Sequence, residues 1–191
     1  MGFFRFEELS AATGSIGLLT FDVPDKKVNT LSQAVLAELA SQVEQLEKRA
    51  DLTGLLFRSG KPGQFIAGAD LNELAALIDA SREQCQQAIV AGHALFSRVS
   101  QLPFPTVALV DGNSMGGGTE LILSMDYRVA STNPATKIAV PETKIGLSPG
   151  WGGTQRMTRL VGVQHAIEII CGSEPVAATK EIGRASCRER V

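Results

Sequence analysis

The sequence predicts a layered α/β fold. Apolar strand-like runs alternate with stretches of helical spacing along the chain. One of those runs, Thr106–Val110, is apolar enough to lie buried on both faces, as a central parallel strand does, and it runs into a glycine-rich turn. Composition agrees with a packed domain. With 44% hydrophobic and 20% charged residues, a wholly disordered chain is excluded, and 191 residues suffice for one domain or part of a larger one.

The elements follow in order. Ile16–Phe21 reads as a strand and Pro24–Lys27 as a turn. Asn29 or Thr30 is placed to cap a helix whose stripe is Val35, Leu36, Leu39, Val43 and Leu46. Leu52–Phe57 is a short apolar strand, and Ser59–Gly63 is a loop. Leu71–Leu77 and Arg82–Val99 read as helices, the second with Ile89, Leu95 and Val99 among its apolar positions, until Pro103 and Pro105 stop it. After Thr106–Val110 and the triplet Gly116–Gly118, Thr119–Met125 follows as a helix. Tyr127–Ala130 and Lys137–Val140 read as short strands, and Gln155–Val161 and His165–Cys171 as helices. The domain is expected to span 1–180. The segment 181–191 lacks an amphipathic pattern and reads as foreign or frame-interrupted sequence, with a natural surface tail as the alternative.

Several classes are disfavoured. A net charge of −2 with mixed signs gives no bulk attraction for nucleic acid. No apolar run reaches the roughly 20 residues of a membrane helix. The early acids of the N-terminus do not fit a signal peptide, so the expected location is cytoplasmic. Cys85, Cys171 and Cys187 are odd in number and far apart, which predicts reduced thiols, with Cys85 and Cys171 structural. With only His93 and His165 to add, no metal site is expected. Each histidine reads as a surface or packing residue. Neither a phosphate-loop pattern nor a dinucleotide fingerprint occurs.

Three places carry candidate chemistry. Gly116–Gly118, between a buried strand and a helix, permit close approach of a backbone or ligand and leave the first helix N–H groups able to face a developing oxyanion; tight packing is the simpler alternative. Glu120 stands on an otherwise apolar helix, and Glu142 follows Pro141 ahead of a glycine-rich loop. Either suits general acid–base work if buried, or is a solvated glutamate if not. They are 22 residues apart, so only the fold can bring them together. In the third place, Phe65–Asp70, Gly68 allows close ligand contact, the Ala69 N–H is a second donor for the same oxygen, and Asp70 reads first as a helix cap.

On these residues the chain resembles the enoyl-CoA hydratase/isomerase, or crotonase, superfamily. The resemblance rests on Phe65–Leu71 (FIAGADL), Asp111–Leu121 (DGNSMGGGTEL), Val140–Leu147 (VPETKIGL) and Pro149–Arg156 (PGWGGTQR), in that order. It implies a crotonase-like spiral of ββα units whose last C-terminal helices are expected to be missing here. It also implies an oxyanion hole at the N–H groups of Ala69 and Gly117, and Glu120 and Glu142 as the two carboxyls that handle water and proton in hydrating a trans-2-enoyl-CoA. Lys26, Ala67, Gly68, Asp70, Leu71 and Gly116 are implied at the CoA thioester, and Lys26 and Lys27 equally fit a solvated turn. The helix from Leu71 is expected to line the acyl pocket. Isomerisation of a 3-enoyl-CoA, or an inactive acyl-CoA-binding fragment, is the alternative. The sequence is most similar to the N-terminal hydratase region of multifunctional fatty-acid oxidation proteins. The partner implied is an acyl-CoA, in a homotrimer or multifunctional core. No cofactor is implied, because coenzyme A belongs to the substrate and NAD would serve only a dehydrogenase region that follows.

Overall fold

The computed structural model describes residues 2–12 and 14–178; the 181–191 segment, and Cys187 within it, lies outside them. The chain opens with a hairpin, β1 (Phe4–Ala11) and β2 (Gly14–Phe21), followed by α1 (Gln33–Leu46). Three ββα units then succeed one another. The first is β3 (Leu52–Ser59), β4 (Gln64–Ile66), α2 (Leu71–Ala76) and α3 (Arg82–Val99), with a 3-10 turn at Leu77–Asp79. The second is β5 (Thr106–Val110), β6 (Asn113–Met115) and α4 (Gly117–Leu123). The third is β7 (Tyr127–Ala130), β8 (Lys137–Ala139), a 3-10 turn at Pro141–Ile145, α5 (Gly153–Val161) and α6 (Val163–Gly172), closed by β9 (Val176–Ala177).

Each unit gives its first strand to one sheet and its second strand to another. The larger sheet runs β1-β2-β3-β5-β7 and the smaller β4-β6-β8-β9. Within the spiral the pairings are parallel, and among the described residues only the β1–β2 and β8–β9 edges are antiparallel. The core is the apolar layer against these sheets: Leu19, Phe21, Phe57, Phe65, Phe96 and Ile122 are all fully buried. The α1 stripe inserts Val35, Leu39, Val43 and Leu46 into it, as its spacing predicts.

One local expectation is corrected, and the fold adds three details. The α1 cap is Ser32, whose hydroxyl accepts from the Val35 N–H, and not Asn29 or Thr30. Ile89 is 49% exposed, because the buried face of α3 is Gly92, Leu95, Phe96 and Val99. Cys171 is exposed and Cys85 is half-buried. The strand β1 was not foreseen, since an exposed edge strand carries charges that break apolar alternation.

Asn29 is instead a buried hub. Its Oδ1 accepts from the Val23 N–H at 2.9 Å, and its Nδ2 serves the Phe21 and Phe65 carbonyls and the Ser59 hydroxyl at 2.9, 3.3 and 3.0 Å. One amide thus joins β2, β3, β4 and the loop after β2. Asn29→Ala leaves several of these groups buried without partners and is expected to lower unfolding free energy by about 3 kcal/mol, read as the shift in urea midpoint.

Candidate active site

Strands β4, β6 and β8 lie side by side and parallel, so their C-terminal ends share one edge of the smaller sheet. Ligand sites in α/β folds form at such edges. Ala69 follows β4, Gly117 follows β6 and Glu142 follows β8. Each unit of the spiral therefore delivers one of the sequence-predicted groups to the same place.

The first amide is Ala69. A parallel bridge pairs Leu31 with Ala69: the Leu31 N–H donates to the Gly68 carbonyl at 2.8 Å, and the Asp70 N–H donates to the Leu31 carbonyl at 3.2 Å. This alternation turns the Ala69 N–H to the side away from Leu31. Gly68, at φ +100, lets this turn pass the Met115 carbonyl, which a Cβ would meet at 3.3 Å. The second amide is Gly117, at the first position of α4, where no intrahelical acceptor exists. Thr119 fixes that helix start by donating its hydroxyl to the Ser114 and Ala139 carbonyls, each at 2.8 Å.

The three glycines face three neighbours. A Cβ on Gly116 would lie 3.1 Å from Oε1 of Glu142, one on Gly117 2.6 Å from the Trp151 ring, and one on Gly118 2.6 Å from Ile66. Their smallness is thus close packing on all sides, with the Glu142 carboxylate pressed against the first.

Glu120 is 2% exposed. Its Oε1 accepts from the N–H groups of Trp151 and Gly153, each at 2.8 Å. Burial drives its pKa up to about 7, chiefly by stripping water from the charged form. The two amides and Arg156 oppose that shift, and the charge of Glu142 adds to it. Glu142 sits in the 3-10 turn behind Pro141; burial raises its carboxyl as well, and its Oε2 is buried without a hydrogen-bond partner. Both carboxyls are therefore pushed above the ordinary glutamate range by burial, and the charge of Glu142 reaches Glu120 across the site.

The remaining predicted residues are placed as follows. Asp70 caps α2, its carboxylate accepting from the Asn72 and Glu73 N–H groups at 3.0 and 3.3 Å. Ala67 is exposed, its N–H held by the Asn29 carbonyl at 2.8 Å. Leu71 is 71% exposed on the first turn of α2, so among the described residues it lies in no closed pocket wall. Lys26 and Lys27 are exposed in the turn after β2. Among the described residues, no group of three or more His, Cys, Asp or Glu is arranged to hold a metal ion, and no helix is long and apolar enough to cross a membrane. Sequence reasoning gave no role to Trp151, Gly153 and Arg156, which organise Glu120. Their signal was a lone tryptophan inside a glycine-rich loop at a helix start.

A spiral of ββα units with paired carboxyls and two outward amides at one sheet edge is the architecture of crotonase-like proteins. The chain belongs to the enoyl-CoA hydratase/isomerase family, whose family model matches residues 11–183. A fatty acid oxidation complex subunit alpha from Aliivibrio fischeri is 48% identical over 157 residues, 81% of this chain and 22% of that protein. The chain thus spans about a fifth of the length of that relative. An enoyl-CoA hydratase from Bacillus anthracis superposes with TM-score 0.84 at 30% identity, over 97% of this chain and 68% of that one. DspI from Pseudomonas aeruginosa gives TM-score 0.87 at 28% identity, over 100% of this chain and 74% of that one.

The raised Glu120 pKa has a stability consequence. The folded state holds a proton on Glu120 up to about pH 7, whereas the unfolded chain releases it near the ordinary glutamate value. Its contribution is thus greatest below the unfolded pKa and is lost as pH rises to about 7. Glu120→Gln removes this loss. Between pH 4.5 and 7 the variant should gain about 3 kcal/mol relative to wild type, measured by urea unfolding at a series of pH values.

Proposed function

We propose that this site adds water across the double bond of a trans-2-enoyl-CoA, giving a 3-hydroxyacyl-CoA as in fatty-acid β-oxidation. The observation that carries this reading is that Glu120 and Glu142 are two desolvated carboxyls of raised pKa, the charge of the second acting on the first. With one proton between them, one is a base and the other an acid at neutral pH. The base takes a proton from water as the water oxygen bonds to the β-carbon. The π electrons move toward the thioester, whose oxygen gains negative charge, and the acid then gives its proton to the α-carbon. The proton count balances, since the base ends protonated and the acid ionised. The N–H groups of Ala69 and Gly117 are suited to the developing oxyanion, which they stabilise more than the neutral carbonyl.

The names of the relatives support the same substrate class. On this reading residues 1–180 form the hydratase core, and Lys26, Ala67, Gly68, Asp70, Leu71 and Gly116 lie along the CoA thioester. The carboxyl chemistry needs no cofactor, coenzyme A being part of the substrate. A homotrimer, or the core of a multifunctional complex in the cytoplasm, is the assembly in which it acts.

Glu120→Gln and Glu142→Gln each remove a proton-transfer group, so each should lower kcat for crotonyl-CoA hydration by about a hundredfold or more, with thioester binding retained. Loss of the enoyl thioester absorbance, with product identification, reads the rate; a variant that hydrates at the wild-type rate overturns the assignment of that glutamate. The wild-type kcat/KM should be bell-shaped in pH, because the pair must hold one proton.

A further inference from the structure

We propose that Arg156 is a positioning residue for Glu120: anchored to α3, it holds the Trp151 carbonyl outward and so keeps the two flanking amides on the carboxylate. The proposal rests on the acid–base role given to Glu120 above. Along Trp151-Gly152-Gly153 the backbone alternates. The Trp151 N–H and the Gly153 N–H point at Glu120 Oε1, and the carbonyl between them points the other way, accepting from Arg156 Nη1 at 2.7 Å. Rotating the peptide that bears this carbonyl would disturb the turn whose two N–H groups satisfy Glu120. Such successive amides form an anion cradle.

Arg156 is itself held. It lies one turn into α5, its own N–H bonded to the Gly152 carbonyl at 2.9 Å, and its Nη2 donates to the Ser97 hydroxyl of α3 at 3.2 Å. Ser97 in turn donates to the His93 carbonyl at 2.9 Å. Gly152 stands at φ +104, and a Cβ there would sit 2.1 Å from Nη1, so the guanidinium occupies the space a side chain would take. The charged and titratable groups around this unit are Glu142 from the 3-10 turn, Arg156 and Arg159 from α5, and His93 from α3, whose ring lies 3.3 Å from the same Gly152 position. Arg156 is the cation acting on Glu120, and the closeness is reciprocal: burial lowers the guanidinium's own pKa, and Glu120 opposes that.

The test uses the full chain and the variants Arg156→Met, Arg156→Lys and Ser97→Ala. The Glu120 carboxyl is titrated by 13C NMR, its resonance assigned by its absence in Glu120→Gln. In Arg156→Met it should titrate above its wild-type value, because the charged form loses a cation and a fixed cradle. In the same variant kcat for crotonyl-CoA should fall roughly tenfold, with KM within about twofold. Arg156→Lys should recover part of the titration shift but less of kcat, since one ammonium cannot bridge Ser97 and Trp151 as the planar fork does. Ser97→Ala should shift the titration the same way by less; if Arg156→Met does not fold, these two variants decide. An unmoved Glu120 titration in the folded variants overturns the proposal, even if kcat falls. A moved titration in a chain that hydrates nothing upholds the positioning and overturns the hydratase reading instead.

Discussion

Holding a carboxylate inside an apolar helix is the constraint around which the rest of this molecule is arranged. All seven residues of α4 are buried, and Glu120 is the only charged one. An ionised carboxylate in that position is unfavourable unless hydrogen-bond donors replace its water. The donors come from a different unit of the spiral, the turn ahead of α5, and they reach Glu120 only because Gly153 carries no side chain: a Cβ there would lie 2.9 Å from the glutamate. Charge on α4, glycine in the turn and the outward Trp151 carbonyl are thus one solution to one burial problem. Burial outweighs those donors, so that a proton is retained, and the charge of Glu142 adds to the same effect.

The double-layered spiral converts chain order into spatial convergence. Its first strands build a broad sheet that carries most of the core, and its second strands are only three residues long in each unit. Short strands suffice there because they do not support the domain alone; they end early and hand the chain to a turn at a common edge. Groups that are far apart in sequence become neighbours because each occupies the same step of a repeated unit. A single long parallel sheet would place its loops in a row, whereas here the third unit curls its turn back over the helix of the second.

Much of this was legible in sequence where local chemistry is strong. Thr106–Val110, Tyr127–Ala130 and Arg82–Val99 have the bounds their patterns predict, because apolar runs and the Pro103 and Pro105 breaks define them without reference to partners. The strands β4 and β6 were hidden, since three residues flanked by glycine or polar groups carry no period. Asn29 was misread because a residue suited to capping is equally suited to a buried network, and only tertiary context separates the two. At the site, spacing could name Glu120 and Glu142 but not join them. The amides of Trp151 and Gly153 were invisible for a deeper reason: a backbone N–H belongs to every residue but proline, and its aim is a property of the fold alone.

The packing of Trp151 has one more consequence. It is the only tryptophan of the 191-residue chain. Its indole is wedged between Gly92 of α3 and Gly117 of α4 and meets Phe96 edge-on at 5.4 Å. The molecule's indole emission therefore originates from a single ring touching the α4 start, uncontaminated by a second source elsewhere. The protein carries its own optical probe, and any change in the contact between that helix start and its surroundings is written in the colour of its fluorescence.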